Sequence, residues 1–112
     1  VQRTRSSAGS PRPGLEIQAE EGAPVQAVHA GQVAYAGSFE GLGNLVIVDH
    51  GDQTFSLYGH LLELGVGRGD AVRDKQEVGR VGASPTGAPS LYFELRVNGH
   101  AVDPLAWLER RR

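Results

Sequence analysis

Ser90, Tyr92, Glu94 and Arg96 occupy every second position of the segment Pro89-Ser90-Leu91-Tyr92-Phe93-Glu94-Leu95-Arg96. On an extended chain they share one side, giving a hydroxyl, a phenol, a carboxylate and a guanidinium in a row. Leu91, Phe93, Leu95 and Val97 take the other side, which alternation assigns to the core. His60, in Leu57-Tyr58-Gly59-His60-Leu61, adds an imidazole, and Glu16 adds a second carboxylate. Ser90 with His60 and Glu94 has the groups of a serine-nucleophile set. Its surroundings, Ala88-Pro89-Ser90-Leu91-Tyr92, lack the flanking glycines of a nucleophile elbow, so the sequence disfavours that chemistry. Of His29, His50, His60 and His100, no two have the i, i+2 or i, i+4 spacing of a metal pair on a strand or helix. His50 follows an apolar strand and reads as structural, while His29 and His100 adjoin glycine-containing turns and read as surface residues.

The elements that must position these groups are short. In 112 residues there are 16 Gly and 6 Pro, and 39% of the chain is hydrophobic, a composition of many strands joined by tight turns. The length predicts one domain with a single modest core. Residues 1–13 read as a linker or tail and 14–112 as the domain. Strands are expected at 14–17, 25–28 and 32–37. Leu45-Val46-Ile47-Val48 is apolar on both faces and predicts a central strand covered on both sides. Asp49-His50-Gly51-Asp52 is a turn signal. In the strand beyond it, alternation puts Phe55, Leu57 and Gly59 on one face and Ser56, Tyr58 and His60 on the other. Residues 70–79 read as two short extended pieces around a turn. Asp103-Pro104 predicts the cap of one helical turn that packs Trp107 and Leu108 as a lid. The fold class expected is all-β, an antiparallel sandwich or partly open barrel with a central groove.

A net charge of −2 argues against a general nucleic-acid surface. The absence of cysteine excludes disulfides, thiolate catalysis and Cys-rich zinc sites. No apolar run approaches the roughly 20 residues that cross a bilayer as a helix. The sequence shows no signal peptide, and its start at Val1 reads as that of an excised domain.

Eight phrases occur in one order: Gly22-Ala23-Pro24-Val25, Ala30-Gly31-Gln32-Val33, Gly43-Asn44-Leu45-Val46-Ile47-Val48-Asp49-His50-Gly51, Leu57-Tyr58-Gly59-His60-Leu61, Gly69-Asp70-Ala71-Val72, Val81-Gly82-Ala83-Ser84, Phe93-Glu94 and Val102-Asp103-Pro104. Together they resemble the LytM/lysostaphin-like zinc peptidase domain over about residues 12–108. Active members carry a His-x-His pair where this chain has Ser90 and Tyr92. The form without histidines is similar to the EnvC-type murein hydrolase activators. The resemblance implies ligand positions at Arg12, Glu16 and Tyr92, and catalytic positions at Ser90 and His60. Zinc takes neutral imidazole, thiolate or carboxylate, usually three of them and a water at a catalytic site. A guanidinium stays charged and repels the ion, and a phenol must first lose a proton held to about pH 10. The expectation is therefore no bound metal, no cofactor and no peptidase activity.

What the resemblance implies instead is a partner-binding groove made of Arg12, Glu16, Leu42, Tyr58, His60, Ser90, Tyr92, Glu94 and Arg96. Its expected occupant is a periplasmic N-acetylmuramoyl-L-alanine amidase, activated at the division site so that septal peptidoglycan is cut and daughter cells separate. In such proteins a coiled coil precedes the domain, controls access to the groove and engages a division-site membrane complex. Three alternatives stand beside this reading. A peptidoglycan-binding module needs no amidase. A residual zinc endopeptidase needs metal. A lipoyl- or biotin-type carrier would be modified at Lys75, which reads better as an exposed turn lysine.

Overall fold

Alternation along Leu45–Val48 fills both faces of one strand, and an antiparallel sheet extends to either side of it. The computed structural model describes residues 14–103. They form β1 (Leu15–Gln18), β2 (Pro24–Gln26), β3 (Gly31–Phe39), β4 (Gly43–Gly51), β5 (Thr54–Leu64), β6 (Ala71–Val72), β7 (Glu77–Ala83), β8 (Pro89–Val97) and β9 (His100–Val102), with no helix among the described residues. The order across the sheet is β1-β8-β7-β5-β4-β3-β6, with β2 added to β7 and β9 to β8. The all-β class holds, in the form of one curled sheet, a half-barrel. The expected linker at 1–13, candidate Arg12 and the helical turn bearing Trp107 and Leu108 lie outside the described residues.

Val46 and Val48 face the main core with Val25, Val33, Tyr58, Leu61, Val78, Val81 and Phe93, all buried. Leu45 faces the opposite way and packs with Leu42 and Tyr92, against which Tyr35, Ile47 and Leu57 are partly buried. This is the two-sided cover expected of β4. The turn after it falls one pair later than the sequence signal. Gly51 still pairs with Thr54, and Asp52 (φ 52°) and Gln53 (φ 58°) both take the left-handed conformation of a two-residue mirror turn.

A relay of hydrogen bonds crosses the main core. The His50 Nδ1 lies 2.8 Å from the Ala30 carbonyl, which can only accept, so Nδ1 carries a proton. In the neutral ring Nε2 then accepts from Ser56 Oγ at 2.7 Å. Ser56 accepts in turn from the Tyr58 hydroxyl at 2.7 Å, and Tyr58 accepts from the Val28 N–H at 3.0 Å. The relay ties the β2–β3 connection to the β4–β5 hairpin and gives His50 the structural role expected of it. Burial raises the Tyr58 phenol above its ordinary value, while the bonds to Ser56 and Val28 act in the lowering direction.

Candidate functional site

The site forms where β5 changes partner. Thr54–Gly59 pair with β8, whereas Leu61–Leu64 pair with β7. Between them the chain bulges, and His60 sits at φ 61°, left-handed for a residue with a side chain. The bulge interrupts alternation. Tyr58 stays on the core face with its ring 5.5 Å from that of Phe93, while His60 turns to the opposite face, 6.1 Å from the Tyr92 ring. Tyr58 is therefore not a groove residue. The strict period-two reading that paired it with His60 missed the extra residue in the strand.

Tyr92 has Glu16 of β1 across from it on one side and Gly59 of β5 on the other. A side chain on Gly59 would come within 3.3 Å of both the Leu42 carbonyl and Tyr92 Cβ. Its absence lets the β3–β4 hairpin fold over the strand, where the Leu42 carbonyl accepts the His60 N–H at 2.6 Å. Ser90 Oγ donates to Glu16 Oε1 at 3.1 Å, and His60 Nε2 lies 3.5 Å from Glu16 Oε2. The Tyr92 hydroxyl donates to Glu94 Oε1 at 2.6 Å and accepts the Gly14 N–H at 3.1 Å. Arg96 Nε donates to Glu94 Oε2. Ser90, Tyr92, Glu94 and Arg96 do share one face, as alternation predicts, but the first three are buried.

These residues do not fit zinc. Glu16 Oε1 already accepts from Ser90, and the Tyr92 oxygen is engaged twice while only 1% of the residue is exposed. Among the described residues no group of three His, Cys, Asp or Glu could hold a metal ion. Of the three ligand and two catalytic positions that the resemblance implies, the four among the described residues, Glu16, Tyr92, Ser90 and His60, lie in one polar network with Glu94.

Beside this network lies an apolar groove of about 410 Å³, lined by Ala34, Tyr35, Phe39, Leu42, Leu45, Ile47, Phe55, Leu57, Glu94 and Arg96. Phe39 is 46% exposed and meets Tyr35 edge to face at 6.1 Å between ring centroids. Of the residues expected in a groove, Leu42, Glu94 and Arg96 line it. Glu16, His60, Ser90 and Tyr92 form the adjoining network, and Tyr58 lines a separate depression on the core face with Ile17, Leu91 and Phe93. Sequence reasoning missed Tyr35, Phe39, Ile47, Phe55 and Leu57 as groove residues. The available signal was β4, whose two apolar faces require a second apolar layer.

Comparison with known proteins agrees with this architecture. The chain is 41% identical over 107 residues to the lipoprotein NlpD/LppB homolog of Pseudomonas aeruginosa, covering 95% of this chain and 36% of that protein. It is 44% identical over 98 residues to the murein hydrolase activator EnvC of Escherichia coli K12, covering 87% of this chain and 23% of the relative. The chain thus spans about a quarter to a third of these relatives' lengths. Among solved structures, the catalytic domain of the antimicrobial peptidase lysostaphin from Staphylococcus simulans superposes with a TM-score of 0.84 at 29% identity, over 96% of this chain and 86% of that one. The family model described as peptidase family M23 matches residues 10–104. With a LytM-like half-barrel and that match over most of its length, the chain belongs to peptidase family M23.

Proposed function

We propose that this domain is a non-catalytic activator of an envelope N-acetylmuramoyl-L-alanine amidase, which it binds through the apolar groove beside the former metal site. The observation that carries the proposal is the mutual hydrogen bonding of Glu16, Ser90, Tyr92 and Glu94. These groups have partners other than a metal, and without metal there is no activated water or Lewis acid for peptide cleavage. The relative in Escherichia coli named a murein hydrolase activator supports the same direction. Exposed aromatic surface with an arginine at its edge has the composition of a protein-docking site.

The proposed mechanism is a population shift. The domain takes up an inhibitory helix that otherwise covers the amidase's own zinc site, and it activates only as far as it binds the open amidase more tightly than the closed one. Placement in the periplasm at the division site belongs to the same proposal, as does control by a preceding coiled coil.

A dye-release assay on labelled peptidoglycan tests it. The amidase alone should release little dye, the domain alone none, and the mixture much more. Phe39→Ser and Arg96→Gln should each lower activation about tenfold while the circular dichroism spectrum is unchanged. Both positions suit the test because they are exposed, whereas truncating buried Tyr92 would report on folding. Dye release by the domain alone, with stoichiometric zinc by mass spectrometry, would establish a peptidase instead.

A further inference from the structure

We infer that the groove recognises a carboxylate on its occupant, with Arg96 as the reading residue and Tyr92 and Glu94 as positioning residues. The inference rests on the groove being a docking site, as proposed above, and names the chemistry of what docks. Among the described residues, Glu94 and Arg96 supply the only charged side chains on the groove wall. Glu94 is 3% exposed and has both oxygens occupied, by the Tyr92 hydroxyl and by Arg96 Nε. Arg96 is in the opposite position. Its side chain is 44% exposed, and only Nε is engaged among the described residues, so both terminal amino groups remain for a ligand.

A guanidinium held by one N–H cannot swing freely, and its open edge presents parallel donors at the spacing of a carboxylate. The hold on it runs back through the sheet: the Gly14 N–H binds the Tyr92 oxygen, and the Tyr92 O–H binds Glu94. With Glu94 satisfied internally, the groove offers one available positive group above an apolar floor of Tyr35, Ile47, Phe55 and Leu57. Charge complementarity then selects an amphipathic protein segment whose apolar side chains flank one Asp or Glu. A segment with Lys or Arg at that point would leave two cations facing each other. The apolar floor favours such a segment over the carboxylates of a peptidoglycan stem peptide, which bring little apolar surface.

The test is a display library of 16-residue amphipathic helical peptides selected on the whole domain, with Phe39→Ser used to discard clones that bind elsewhere. Clones retained should concentrate Asp or Glu at one position between apolar residues. In such a peptide, Glu→Gln should weaken binding to the wild-type domain about tenfold, the scale of one charge-assisted hydrogen bond. Against Arg96→Gln the two peptides should bind alike. Tyr92→Phe, which keeps the ring, should shrink the Glu-to-Gln ratio while the affinity of the Gln peptide stays unchanged. A purely structural Tyr92 would move both peptides equally. Groove-dependent clones without an acidic position, or a Glu preference that survives Arg96→Gln, overturn the carboxylate assignment and leave the groove reading standing. Recovery of no Phe39-dependent clone overturns both. Arg96-dependent sedimentation with purified peptidoglycan would overturn the protein segment as occupant.

Discussion

Tyr92 and Glu94, two residues apart on β8, are joined by a 2.6 Å hydrogen bond from the phenol to the carboxylate. Both side chains are buried. The bond makes Glu94 an internal acceptor and commits the phenol's proton to a neighbour on the same strand.

Tyr92→Phe should therefore cost about 1–3 kcal/mol, the penalty of leaving a buried acceptor and the Gly14 N–H without their partner. Tyr92→Ala should cost about 3–5 kcal/mol, since the cluster with Leu42 and Leu45 also loses its ring. Urea denaturation of the two variants measures both. Equal costs would mean that the ring contributes nothing beyond the hydroxyl.

Gly14 marks where β1 meets β8. A Cβ there would lie 2.5 Å from the Phe93 carbonyl and 2.6 Å from the Tyr92 ring, so one of them must shift. Gly14→Ala is expected to destabilise by about 1–3 kcal/mol. Hydrogen exchange should quicken in β1 first, because β1 is held by its pairing to β8.

His60 is a test of the bulge. At φ 61° a β-branched residue is strained, whereas asparagine tolerates the left-handed region. His60→Val should melt lower than His60→Asn by the equivalent of about 1–2 kcal/mol. Identical melting temperatures would show that the bulge relaxes at no cost.

Tyr58 predicts an alkaline limit to stability. Its phenol is raised by burial in the folded chain, so the folded state holds the proton more tightly than the unfolded state. The contribution is fully present below the ordinary phenol value of about 10 and is lost as pH rises through it toward the folded value. Tyr58→Phe should be less stable than wild type at neutral pH, by about 1–3 kcal/mol for the broken relay. The gap should narrow above about pH 10, where only the wild type has this phenol to lose. Stability curves at several pH values check the sign, and a gap that widens with pH would contradict it.

Much of the architecture was legible in the residues. Two apolar faces from Leu45 to Val48 indicated a strand covered on both sides, and glycine-rich punctuation indicated short strands and tight turns. Alternation also grouped Ser90, Tyr92, Glu94 and Arg96 correctly, since β8 runs without a bulge through them. The side chains at Ser90 and Tyr92 argued against zinc before any geometry was known, because ligand chemistry depends on residue type.

The tertiary structure alone decided which of these groups meet. His60 and Tyr58 parted company because one extra residue in β5 reversed the faces beyond it, and a bulge has no unique signature in a strand's composition. Glu16 found Ser90 across 74 positions of sequence through strand pairing. The open groove consists of Tyr35, Phe39, Ile47, Phe55 and Leu57 because the sheet curls away and leaves them partly uncovered. Residue type thus determined which groups stand along β8 and β1, and long-range pairing determined how they are arranged: a polar network beside an apolar surface.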